Sequence, residues 1–136
     1  MTESKQLYRI IDANLNRAKE GLRVCEDIAR YIWNKETLTR SLKDARHDLT
    51  QAAAGFKMIK VLEGRNVNAD VGRPSSPSEL KRKDVKAVFM ANMQRVKESL
   101  RVLEEVSKLF KPENSEGFKN LRYKVYVLEQ KALKKS

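Results

Sequence analysis

The chain has 136 residues, a single cysteine, five glycines and three prolines, and it carries 29 basic against 18 acidic side chains, a formal charge of +11. That length fits one domain (1–136) with a core of its own, and a lone Cys25 excludes an internal disulfide or a structural zinc site and points to a reducing compartment. No apolar run approaches the ~20 residues of a membrane span and the polar N-terminus has no secretory h-region, so the protein is expected in the cytoplasm.

The basic excess suits a phosphate-bearing partner. It is spread along the chain, with short clusters only at 81–83 and at Lys131, Lys134 and Lys135. Aromatic residues do not alternate with basic ones as a single-strand platform requires, so nucleic acid ranks low among the partners.

Four helices are expected, in two pairs. The first covers about 6–33, where Ile11, Leu15, Ala18, Leu22, Cys25, Ala29 and Ile32 step by three and four residues, the seam of a bundle helix. Asn34 interrupts it, and a second helix runs from about 36 through Leu42, Ala45 and Leu49 to Gly55 or somewhat beyond. Residues 62–77, "LEGRNVNADVGRPSSP", have no period and hold two glycines and two prolines, which reads as a loop. "SPSE" then reads as a helix start, with Ser76 capping, Pro77 in the first turn and Glu79 closing a capping box. The third helix is expected to reach about Phe110 and the fourth to cover about 115–132, beyond the breaker "KPEN".

The two pairs are copies. Shifted by seventy-eight residues, 13–26 and 91–104 share nine of fourteen positions, and "LKDARHDL" resembles "FKNLRYKV" further on. The unit is a helical hairpin, present at about 6–62 and again at about 77–133, joined by a loop at about 63–76. Two such hairpins can cover each other's apolar faces, giving an all-α four-helix bundle with internal pseudo-twofold symmetry.

The repeat also copies polar residues. On a helical wheel Asn14 and Arg17 fall inside the apolar arc of the first helix, and Asn92 and Arg95 fall in the same place on the third. Burying an amide and a guanidinium costs several kcal/mol unless each is paired. Either Glu20 and Glu98 satisfy them internally, or the two pairs face each other across the pseudo-axis and line a pocket in which arginine reads phosphate. The loop adds Arg65, Asp70, Gly72 and Arg73; a loop this long in a small domain is functional, as a lid or a ligand contact, or a plain linker. Asp70 could offer a carboxylate to a metal. His47, the only histidine, follows Arg46 on the second helix, as a structural contact or an acid–base group. Phosphate-loop, dinucleotide, HExxH and nucleophile-elbow motifs are absent.

"YRIIDANLNRAKEGLRVCED", "LKDARHDL", "RNVNADVG", "ANMQRVKESLRVLEE" and "FKNLRYKVYVLEQ", in that order, resemble the small helical domain often fused ahead of thiamine phosphate synthase. The resemblance implies a hydroxymethylpyrimidine phosphate kinase of thiamine biosynthesis, using ATP and magnesium to make the pyrimidine diphosphate. Under it, phosphate and substrate binding would fall to Asn14, Arg17, Arg23, Arg46, Arg65, Asn92, Arg95, Arg101 and Arg122. Catalysis would fall to Glu20, Glu98, Asp70 and His47, and magnesium to Asp70, Glu20 and Glu98. With no strand pattern and no barrel after Ser136, the chain is not expected to be the synthase itself. The alternatives are a non-catalytic module that binds a phosphorylated ligand or docks a synthase, and, third, a basic RNA-binding module.

Overall fold

A computed structural model describes residues 2–56, 58–76 and 81–134. Among them there are five α-helices and no strand, and no helix is long and apolar enough to cross a membrane. Helix α1 (Glu3–Asp27) starts three residues earlier than expected, because Thr2 Oγ1 accepts from the Lys5 N–H at 3.2 Å and caps it. Its expected seam is buried from Ile11 to Ala29. Ile32 is not: it is 55% exposed. Residues Ile28–Ile32 form a π-helical turn, with Trp33 N–H donating to the Ile28 carbonyl at 3.0 Å. The extra residue per turn rotates Ile32 out of register with the seam. Asn34, at a φ of 50°, takes the left-handed conformation that asparagine tolerates and ends the helix.

Helix α2 (Glu36–Ala52) buries Leu42, Ala45 and Leu49 and tightens into a 3₁₀ turn at Ala53–Gly55. The expected loop starts later than predicted, because a short helix α3 (Met58–Gly64) takes in its first residues. A Cβ on Gly64 would stand 3.0 Å from the Arg9 nitrogen and 3.1 Å from the Lys5 carbonyl. The end of α3 is thus pressed against the first turns of α1, and the loop leaves from there.

Helix α4 spans Val85–Ser107. Pro77 and Glu79 of the expected capping box lie outside the described residues, and 81–83 are not helical. Asp84 caps α4, its Oδ1 accepting from the Ala87 N–H at 2.8 Å. Lys81, Arg82 and Lys83 would have put three cations at the positive end of a helix dipole, whereas Asp84 complements it. Helix α5 (Pro112–Leu133) starts on the proline of the expected breaker, whose fixed φ suits the first helical position.

Helix α1 packs on α4, α3 and α2; α4 packs on α5; α2 packs on α5. The α1–α4 pair is antiparallel, with the Trp33 ring 4.8 Å from Phe89 at one end and Tyr8 4.9 Å from Phe110 at the other. The helices are tightly apposed at Gly21, where an added Cβ would meet Val96 Cγ2 at 2.7 Å and the Asn92 carbonyl oxygen at 3.0 Å. Phe56 joins the end of the first hairpin to Phe110 and Phe118 of the second.

Two outcomes follow from this packing. Gly21→Ala gains about 1 kcal/mol of helix propensity. It also forces backbone apart at a contact that cannot yield, so the net is a loss of roughly 1–2 kcal/mol in urea unfolding. Cys25 is buried, its S–H donating to the Phe89 carbonyl at 3.5 Å. Burial, and then the Glu129 charge, push this thiol from 9.0 up to about 12. The unfolded thiol ionises first, so its contribution to stability falls as pH rises from 9.0 towards 12. At about pH 8 a thiol reagent should label Cys25 only as fast as the protein unfolds; labelling within the mixing time would show the thiol is open.

Candidate functional site

The duplicated polar residues resolve into two buried carboxylates. Glu26, 3% exposed, accepts from Arg46 Nε at 3.0 Å and lies 3.5 Å from Arg23 Nη1. Glu104, 5% exposed, accepts from Arg122 Nε at 2.9 Å and lies 3.6 Å from Arg101 Nη1. Each unit joins the first helix of a hairpin to the second, and each is the other moved along by the repeat. The hydrogen bond to Glu104 raises the Arg122 pKa above the ordinary guanidinium range. Arg23, Arg46, Arg101 and Arg122, expected at phosphate, are therefore engaged with protein carboxylates.

Glu20 and Glu98 were expected to meet the buried amides and arginines; the carboxylates that go inside are Glu26 and Glu104, six residues on. Glu20 and Glu98 are exposed. Among the described residues neither Asn14 nor Asn92 hydrogen-bonds a side chain across the axis. Each donates from Nδ2 to its own helix, to Ile10 and Val88 carbonyls respectively, at 2.8 Å. Asn92 lies against Gly21, seven residues or roughly 10 Å along α1 from Asn14, so the two amides do not face each other. Arg17 and Arg95 are exposed, not buried. The apolar arc drawn on the wheel was wider than the stripe that neighbouring helices cover.

One cleft gathers several of the expected residues. It has a volume of about 700 Å³ and runs between α1 and the loop after α3. Arg9, Asp12, Asn14, Asn16, Arg17 and Glu20 line it from α1, Arg65, Asn66, Val67 and Asp70 from the loop, and Val102 from α4. Its anchor is Asp12, which accepts from Arg65 Nε at 2.8 Å and from Nη2 at 2.6 Å. That fork keeps the Arg65 pKa above the ordinary range, chiefly through the hydrogen bond to Asp12. Asn16 donates to the same carboxylate at 3.2 Å. Asp70 turns the loop, accepting from the Gly72 N–H at 2.9 Å. Among the described residues Arg9 and Arg17 have no ion-pair partner.

Asn14, Arg17, Glu20, Arg65 and Asp70 are thus brought together. Asn92, Arg95, Glu98, Arg101 and Arg122 do not line this cleft; Glu98, Arg101 and Arg122 border a smaller cavity on the second hairpin. His47 is exposed on α2, 3.3 Å from Gln51 Nε2, and also lies away from the cleft. Glu20 and Asp70 share the cleft and Glu98 does not. Among the described residues no three histidine, cysteine or carboxylate side chains are grouped to hold a metal ion. Asp12 escaped notice in the sequence, though a signal was there. It sits inside an apolar stretch where the second repeat has Met90, so its partner had to come from outside the repeat.

The family model described as the ThiD2 family matches residues 9–131. Curated relatives named thiamine-phosphate synthase are 41% identical in Nostoc punctiforme, over 90% of this chain and 34% of that protein. The corresponding figures are 42%, 95% and 36% in Thermosynechococcus vestitus, and 39%, 92% and 34% in Rhodopirellula baltica. The chain spans about a third of the length of these relatives. No solved structure matches. The expected activity, phosphoryl transfer from ATP to the pyrimidine phosphate, is corrected by these comparisons: the relatives bear the name of the synthase, not of a kinase. What they show is a module of thiamine biosynthesis.

The buried carboxylates make a graded prediction. Arg122 is 11% exposed and Arg46 28%. Arg122→Met leaves Glu104 with the distant Arg101 alone and should cost roughly 3 kcal/mol in chemical denaturation. Arg46→Met, nearer to water, should cost less. Equal and negligible losses would show that the two carboxylates need no partner.

Proposed function

Since the chain belongs to the ThiD2 family, we propose that it is a helical module of thiamine biosynthesis that binds a phosphorylated aminopyrimidine between α1 and the loop, and works beside a thiamine-phosphate synthase. One observation carries this assignment. Asp12 and Arg65 lock the loop onto α1, and the two other arginines of the cleft, Arg9 and Arg17, form no ion pair with a carboxylate among the described residues. Arginines held beside a cleft without a carboxylate of their own suit a phosphate, which accepts two parallel N–H bonds.

The rest of the lining fits the other end of such a ligand. Three arginines are balanced by Asp12, Glu20 and Asp70, so the cleft is not simply a sink for negative charge. Carboxylates and the amides of Asn16 and Asn66 can pair with an exocyclic amine and ring nitrogens. Magnesium would be held there by Glu20 or Asp70 together with ligand phosphate, the way this ion is ordinarily bound. The packing of α1 on α4, with α2 and α5 closing the other side, supports the picture of two related hairpins forming one bundle. In it, only the first hairpin carries the cleft.

Calorimetric titration with 4-amino-5-hydroxymethyl-2-methylpyrimidine phosphate tests this, with ATP and magnesium as separate arms. Arg17→Gln should weaken binding by about tenfold or more and leave the melting temperature unchanged. Arg65→Met should both lower the melting temperature, by stranding Asp12, and abolish binding. Wild-type affinity in Arg17→Gln would remove the cleft from the ligand's path.

A further inference from the structure

We propose that the corner between α1 and α2 is a second anion site, built for a diphosphate group and separate from the cleft. The corner holds a cavity of about 600 Å³. Arg23, Arg30, Lys35, Arg40, Lys43 and Arg46 line it, against only two carboxylates, Glu26 and Glu36. Both carboxylates are already engaged: Glu26 by Arg23 and Arg46, and Glu36 by Arg40 at 2.9 Å. Four positive charges remain in excess. Among the described residues Lys43 forms no ion pair, and Arg30 and Lys35 lie over the faces of Tyr31 and Trp33, at 4.9 and 5.5 Å, and form none either. Like charges held this close repel unless an anion joins them.

The local backbone holds them there. The π-helical turn places Arg30, and the left-handed Asn34 turns the chain so that α2 starts on the rim. Helix α2 opens on Lys35 without a side-chain cap, so its first N–H groups have no cap acceptor from that residue.

The second hairpin supplies an internal comparison. Where the first has Arg40, the second has Glu116, and the helix after its corner opens on Pro112, which has no N–H to offer. Lys108 and Arg101 are both tied to Glu105, at 3.2 and 3.3 Å. Among the described residues Asp27, the counterpart of Glu105, makes no ion pair, and it does not line the corner cavity. The second copy keeps Lys111 and Lys119 where the first has Lys35 and Lys43, but Glu105 and Glu116 lower its cationic excess, and the first corner has no such pair of carboxylates. A single phosphate monoester would satisfy part of this excess; two linked phosphoryl groups match it better.

The test is calorimetric titration of the full chain with inorganic pyrophosphate and, in a separate arm, thiamine diphosphate, with orthophosphate as reference. Pyrophosphate should bind at least about tenfold more tightly than orthophosphate and weaken as salt is added. Arg40→Glu, which writes the second hairpin's residue into the first, should weaken it by about tenfold or more, and Lys43→Gln several-fold. Both side chains are exposed, so melting temperatures should hold. Arg17→Gln should leave pyrophosphate binding unchanged, which keeps failure of the cleft distinct from failure of the corner. Binding of thiamine diphosphate with the same dependence assigns the group to an ester; binding of pyrophosphate alone assigns it to the free ion. No pyrophosphate binding, wild-type affinity in both corner variants, or binding of an RNA oligonucleotide alone would overturn the proposal.

Discussion

Everything else in this fold is arranged around two carboxylates that have been taken out of water. An unpaired buried charge costs several kcal/mol, so Glu26 and Glu104 must each be met by arginine. Each is met by one arginine three residues back on its own helix and one from the following helix. An apolar seam by itself tolerates sliding and rotation between two helices. A guanidinium that must reach a fixed carboxylate does not, so the pair sets the register of each hairpin. That is why polar residues were copied along with the apolar ones. They are part of what makes a hairpin fold as a unit.

Once both hairpins are locked in the same way, their differences become informative. Lys97 on the second hairpin is tied to Glu129 at 2.7 Å and lies 5.0 Å from the Tyr126 ring. Its counterpart on the first, Lys19, has Ala53 and Thr50 at the matching places and forms no ion pair among the described residues. The cavities there differ accordingly, about 370 Å³ on the second hairpin and 580 Å³ on the first. Asp12 against Met90 and Arg40 against Glu116 point the same way. One copy closed its polar surface with aromatic rings and carboxylates while the other stayed open.

The seam, the repeat and the helix pairing were legible in the sequence because periodicity records burial directly. Boundaries were less so, since they turned on local competitions such as Asp84 against the cationic run before it, or Pro112 serving as a start as well as a break. The wheel placed Asn14 correctly but buried Arg17, because an angle on one helix does not say how wide a stripe its neighbours cover. The Asp12–Arg65 fork could not be read at all from spacing. It joins residues 53 apart through a loop whose path is set by where α3 meets α1. The π turn was equally silent, although the exposure of Ile32 and the position of Arg30 both depend on it.

The open hairpin has one more property that single sites do not reveal. The cleft, the Lys19 cavity and the corner share walls: Glu20 borders the first two, and Arg23 and Arg46 border the last two. Together they follow α1 from about residue 6 to residue 30, a distance of roughly 35 Å at the helical rise. Charge changes along the way, from a cleft whose arginines and carboxylates balance to a corner with four cations in excess. If phosphorylated ligands bind as proposed, this gradient would act on any that enters the trough. A monoester would gain little by leaving the cleft, where amides and carboxylates could read the rest of the molecule. A ligand with more negative charge would be drawn along α1 towards the corner. Sorting by phosphate number would then need no moving part, only a helix whose two ends differ in charge.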